Sequence, residues 1–196
     1  MVGVVSASAV VAPERPRTDN GGRLLAGDRV AIPAVSGQRV GGRDGTERLR
    51  ILLVASAGGH WTELYRLRDA FKGADCQFVS TAPGLTAPLG EREVLSVADT
   101  ARDTIPTLLP TIAKLMRIIR RFDPQLVVST GAAPGALALF IAKLFGARTI
   151  WIDSIANSEG LSLSGKLVRP VADLRITQWE HLAQDHPSLR FFGQTL

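Results

Sequence analysis

The sequence predicts an α/β fold, a doubly wound, Rossmann-like parallel sheet of about six or seven strands. Three observations predict it. From Leu49 onward, strand-length runs rich in Val and Ile alternate with helical stretches. The links between them are short, as in right-handed crossover units. The first run, Arg50–Ser56 (RILLVAS), is almost wholly apolar and ends in glycines, as a strand buried on both faces does.

The elements follow in order. After Arg50–Ser56, residues His60–Phe71 read as a helix, with Leu64, Leu67 and Phe71 on one face at three- and four-residue spacing. Gln77–Ser80 and Glu93–Val97 are the next two strands. Ile105–Phe122 is a long amphipathic helix closed by Asp123-Pro124, because proline disfavours helix at the residue before it. Leu126–Thr130 is a strand, Pro134–Phe145 a helix stopped at Gly146, and Thr149–Asp153 another strand. A weaker helix at Gly165–Val168 and strands at Leu174–Thr177 and Leu189–Phe192 complete the set. These elements use residues 49–196 as one domain and leave nothing for a second.

Residues 1–48 differ in kind. They hold no aromatic residue, eight of the 19 glycines, and seven arginines against five acids. Such a segment buries too little apolar surface to offset its ordering entropy, so a disordered tail or an extended start is expected. The opening MVGVVSASAVVA lacks the basic start of a signal peptide.

Composition excludes several classes. One cysteine, Cys76, allows neither an internal disulfide nor a cysteine-based zinc site, and three histidines leave little for a histidine cage. No metal and no cofactor are expected. The single cysteine makes a reducing, cytoplasmic setting the default. No apolar run reaches the roughly 18–20 residues of a spanning helix. The net charge of +5 suits an anionic membrane surface or a phosphorylated ligand.

Ligands of such sheets bind at the carboxyl ends of the strands, and four groups of residues fall there or nearby. In Ser56-Ala57-Gly58-Gly59-His60, Gly58 and Gly59 let backbone approach a ligand, and the following helix start suits a phosphate. His60 is a candidate base or neutral donor; an exposed capping histidine is the plainer alternative. The loop lacks the third glycine of a dinucleotide fingerprint, and the second strand ends in Ser80-Thr81 with no ribose-binding acid, which disfavours NAD and FAD. The second loop, Thr130–Gly135, places Gly131 at the same edge, as a ligand contact or as an ordinary strand-to-helix turn. Asp153 and Ser154 end a further strand there, as base, hydroxyl ligand or cap. LSLSGK (Leu161–Lys166) lacks the first glycine of a P-loop. The helix Ile105–Phe122 carries Leu108, Leu109, Ile112, Leu115, Met116, Ile118, Ile119 and Phe122 on one side. Lys114, Arg117, Arg120 and Arg121 lie on the other. It is either a core helix with a solvated basic back or a surface for anionic headgroups.

SAGGHWTEL (Ser56–Leu64), STGAAPGALALFIAKLFGARTIWIDS (Ser129–Ser154) and LSLSGKLVRPVADLRITQWEHL (Leu161–Leu182) stand in one order. Together they resemble the membrane-docking, acceptor-side subunit of the two-chain N-acetylglucosaminyltransferase of lipid-linked oligosaccharide synthesis. They also resemble its bacterial capsule and exopolysaccharide relatives. The resemblance runs from about Ile51 to Gly193 and implies one half of a GT-B glycosyltransferase, similar to the N-terminal domain of MurG. In that family a separate catalytic chain supplies the half that binds the UDP-sugar. The Gly58-Gly59-His60 loop corresponds to the loop facing the lipid-diphosphate acceptor. Asp153 stands where relatives usually have Glu, and Asn157 where an Arg is common in the eukaryotic members.

The resemblance implies a heteromeric enzyme that transfers a sugar from a UDP-sugar to a lipid-diphosphate-linked saccharide in polysaccharide biosynthesis. His60 and Asp153 are its catalytic candidates; Gly58, Gly59, Gly131 and Ser154 would face the acceptor diphosphate. The eukaryotic subunit has an N-terminal membrane anchor that this chain lacks. Attachment is therefore expected to be peripheral, on the cytoplasmic face of the plasma membrane, with no nucleic-acid partner. The competing expectation is a non-catalytic scaffold or chaperone that recruits and stabilises the catalytic chain.

Overall fold

The computed structural model describes residues 48–89, 92–99 and 105–194, which belong to one compact unit, Arg48–Leu196. The tail expected over residues 1–48 lies outside the described residues, Arg48 apart. Seven strands form one all-parallel sheet: β1 Arg50–Ala55, β2 Asp75–Ser80, β3 Leu95–Ser96, β4 Leu126–Ser129, β5 Arg148–Ile152, β6 Leu174–Thr177 and β7 Arg190–Phe191. Their order is β3-β2-β1-β4-β5-β6-β7. The chain winds outward from β1 to β3, then crosses back to place β4 on the other side of β1. The reversal between β1 and β4 is the switch point of the sheet.

The connecting helices are α1 Gly59–Arg66, α2 Ile105–Phe122, α3 Ala132–Leu144, α4 Leu163–Leu167 and α5 Glu180–Asp185. The core lies where the apolar runs predict it. Leu52, Leu53 and Val54 of β1 and Val127 and Val128 of β4 are fully buried, each burial worth about 1.5–3 kcal/mol. Leu115 and Ile119 of α2 and Ala138, Leu139 and Ala142 of α3 share one cluster with Leu52, Val54 and Val127. Small residues on α3 let that helix lie close to the sheet. A Cβ on Gly135 would stand 1.9 Å from the Ser129 Oγ, so a larger residue there must displace that side chain.

Three elements differ from the sequence pattern. The helix expected over His60–Phe71 is α only to Arg66. It tightens into a 3-10 turn, Leu67–Phe71, which ends with Phe71 buried. The strand expected over Glu93–Val97 shrinks to two paired residues, because β3 is an edge strand that meets only Val79 and Ser80. Helix α5 was not visible in the pattern: it is six residues long with one buried residue, Leu182, too short for a period to show.

Candidate functional site

The loops after β1 and β4 meet at the switch point. Gly58 closes β1's loop with φ 77°, a conformation a side chain disfavours, and the Thr81 hydroxyl, just past β2, accepts from the Ala57 N–H at 2.8 Å. Gly131 occupies the corresponding place after β4 with φ 147°, and Ala132 behind it also has positive φ, at 65°. Neither α1 nor α3 has a capping side chain or an acidic residue in its first turn. Two helix N-termini thus point their leading N–H groups and positive dipole ends toward the same crevice, a setting suited to an anion.

His60 ties the two loops together. Its Nδ1 lies 2.9 Å from the Thr130 carbonyl, and the Thr130 hydroxyl donates back to the His60 carbonyl at 2.7 Å. A carbonyl oxygen only accepts, so Nδ1 carries the proton. Nε2 is left to act as a base when the ring is neutral and as a donor when it is charged. The ring lies directly against Gly131, where an added Cβ would be 2.3 Å from Nδ1 and Cε1. The glycine is needed for both its dihedral and its missing side chain.

Glu63, one turn along α1, sits behind the histidine. It is 4% exposed, and its Oε1 accepts from the Ser154 hydroxyl at 2.9 Å and the Ile155 N–H at 2.8 Å. Its Oε2 has no hydrogen-bond partner and lies 3.9 Å from His60 Nδ1. That carboxylate is the main influence raising the His60 pKa above its ordinary value; burial opposes it, and the Thr130 carbonyl and Asp153 add to it. A buried carboxylate with one unfilled oxygen favours a protonated neighbour.

Asp153 and Ser154 reach the same edge but turn inward. Asp153 is 2% exposed, and its carboxylate accepts from the Ser154 N–H, the Asn157 side-chain amide and the Ser162 N–H at 3.0–3.1 Å. It staples the loop between β5 and α4 to the sheet. The Ser154 hydroxyl is spent on Glu63. The structure therefore brings His60, Gly58, Gly59 and Gly131 to the crevice and sets Asp153 and Ser154 beneath them. Glu63 and Thr130 were missed from sequence. The spacing of His60 and Glu63, three apart on a helix, was the available signal.

On α2, Lys114, Arg117, Arg120 and Arg121 are all exposed, well away from the crevice loops in sequence. The apolar side of this helix is not wholly packed: Leu115, Ile118 and Ile119 are buried, but Leu109 is 67% and Met116 39% exposed. Helix α3 is apolar on every side but for Lys143 and exposes Phe140 and Leu144, and α4 exposes Leu163 and Leu167. Of these, Leu109 and Met116 share helix α2 with the four basic residues. Among the described residues no helix is long and apolar enough to cross a membrane, and no group of His, Cys, Asp and Glu could hold a metal ion.

Residues 91–195, just over half the chain, match the family model of Alg14-like oligosaccharide biosynthesis proteins. The chain is similar to the UDP-N-acetylglucosamine transferase subunit ALG14 of Eremothecium gossypii, 29% identical over 82% of this chain and 86% of that one. It is similar also to the human subunit of that name, 24% identical over 76% and 83%. Among solved structures it resembles MurG of Acinetobacter baumannii (TM-score 0.54, 12% identity, 66% of this chain and 41% of that one). It likewise resembles UDP-N-acetylglucosamine 2-epimerase of Rickettsia bellii (TM-score 0.59, 16% identity, 76% and 46%). The chain spans under half the length of these two structures, whose likeness is one of fold.

Proposed function

The chain belongs to the Alg14-like family of oligosaccharide biosynthesis proteins, and on that premise we propose that it is the acceptor-binding half of a two-chain GT-B glycosyltransferase. A separate catalytic chain supplies the UDP-sugar site, and the crevice at the switch point between β1 and β4 takes the diphosphate of a lipid-linked saccharide. The reaction belongs to polysaccharide synthesis, of the capsule or exopolysaccharide kind. The observation that carries this reading is the pair of glycine loops locked together by His60 and Thr130, with two uncapped helix N-termini facing one crevice.

In the reaction an acceptor hydroxyl attacks the anomeric carbon of the donor sugar, the bond to UDP breaks, and the hydroxyl loses its proton. His60 Nε2 takes that proton when neutral, and as an imidazolium it holds the acceptor diphosphate. Gly58, Gly59 and Gly131 let the backbone N–H groups approach the diphosphate. Glu63 sets the charge and orientation of His60, while Asp153 and Ser154 position the loop behind it. The basic arc of α2, Lys114, Arg117, Arg120 and Arg121, together with Leu109 and Met116, rests peripherally on the anionic cytoplasmic face of the membrane where the acceptor lies.

The test is to purify the chain alone and with its co-expressed catalytic partner and to measure UDP-sugar binding and transfer to a lipid-diphosphate acceptor. The single chain should bind no UDP-sugar by calorimetry, and the pair should both bind and transfer. Robust transfer by the isolated chain would falsify the half-enzyme reading.

A further inference from the structure

At the opposite, amino end of the sheet a cavity of about 310 Å³ opens beside the starts of β6 and β7. Arg169, Arg175, Arg190, Ser188 and Asp173 line it. Arg175 is its floor and is 6% exposed. Its guanidinium donates to the Gly165 carbonyl at 3.4 Å and to the Ser188 hydroxyl. Five N–H groups therefore have one weak carbonyl and one hydroxyl between them.

No carboxylate among the described residues pairs with Arg169, Arg175 or Arg190. The one acid in the lining is already engaged. Asp173 pairs with Lys143 through Oδ1, and its Oδ2 accepts from the Thr149 N–H and hydroxyl. Arg190 donates only to the backbone carbonyls of Pro187 and Leu189. A guanidinium buried without a paired carboxylate is unfavourable, and its planar fork matches the oxygens of a phosphate.

We infer that this cavity is a phosphate-binding site, with Arg175 as its buried anchor and Arg169 and Arg190 as the arms that close on the ligand. Burial and the neighbouring Arg169 both hold the Arg175 pKa below its ordinary value, the Asp153 charge offsetting them only in part, an imbalance a bound dianion relieves. Two sources share this chemistry. A lipid phosphate would lay its chains along α4, where Leu167, two residues before Arg169, is 56% exposed. A free or metabolite phosphate would enter from solvent. The inference is independent of the glycosyltransferase reading, because none of its residues touches the switch-point crevice.

Calorimetric titration of the full chain with inorganic phosphate should show saturable binding. The exposed double variant Arg169→Gln, Arg190→Gln should weaken it about tenfold or more, whereas replacing the four basic residues of α2 should leave it intact. Arg175→Lys keeps the charge but loses the fork and should weaken binding as well; the exposed variants carry the test if it misfolds. Co-sedimentation with phosphatidylcholine vesicles containing phosphatidic acid separates the sources. Competition by inorganic phosphate and loss in the double variant assign a lipid headgroup. Phosphate binding with unchanged vesicle retention assigns a free phosphate. Absence of saturable phosphate binding, or equal binding by the double variant, overturns the site.

Discussion

Replacing Gly131 by alanine isolates the contact on which the crevice depends. At φ 147° any side chain is strained, a cost of about 1–3 kcal/mol. The new Cβ would also stand 2.3 Å from two atoms of the His60 ring, far inside contact distance. The imidazole must then swing away, breaking its 2.9 Å hydrogen bond to the Thr130 carbonyl at about 1 kcal/mol net. The sum is roughly 2–4 kcal/mol, or a fall in melting temperature of roughly 6–12 °C for a domain of this size. Gly59 is the control. It lies in the first turn of α1, and an added Cβ there meets nothing within 4 Å, so Gly59→Ala should be neutral or slightly stabilising. Thermal unfolding followed by circular dichroism reads the stability, and the His60 ring resonances read its position. A Gly131→Ala protein that melts with the parent and keeps the parent's His60 resonances would refute the packing argument.

Two further outcomes are expected. Glu63→Gln keeps an acceptor for Ser154 and Ile155 but removes the charge beside His60, so the His60 pKa should drop toward 6.5. Because the folded pKa is raised, this pair stabilises the fold fully below pH 6.5 and loses its effect as pH rises through the folded value. Titration by NMR, with unfolding free energies across that window, checks both, and an unmoved His60 pKa would remove Glu63 from the account. Changing Lys114, Arg117, Arg120 and Arg121 together to Gln should weaken binding to anionic liposomes by about three orders of magnitude, at about 1 kcal/mol per residue. Unchanged co-sedimentation would return α2 to a packing helix with a solvated back.

The sheet was legible because its strands are buried on both faces and therefore read as unbroken apolar runs, as in RILLVAS and LVVS. The glycine loops were legible because glycine is required by backbone geometry at Gly58 and Gly131, a local property. Tertiary partners were not. Asp153 reads from sequence as a base, a hydroxyl ligand or a cap; that it caps the following loop depends on donors from Ser154, Asn157 and Ser162, up to nine residues away, which only the fold of the β5–α4 loop brings in. Nothing local marks Glu63 as buried, because its partners Ser154 and Ile155 lie more than ninety residues away. The apolar side of α2 read as one face, but α3 and the sheet cover only part of it and leave Leu109 and Met116 outside.

The most direct test of the central claim is turnover by the purified pair of chains carrying His60→Ala, assayed with a UDP-sugar and a lipid-diphosphate acceptor while assembly is followed by size exclusion. His60 lies at the crevice, and its one side-chain hydrogen bond joins two loops rather than two strands. The His60→Ala pair should remain an intact heteromer whose kcat falls by roughly 10²–10⁴-fold, the range of a lost acid–base group. A fully active His60→Ala pair would contradict it, leaving this chain as a docking scaffold with the chemistry confined to its partner.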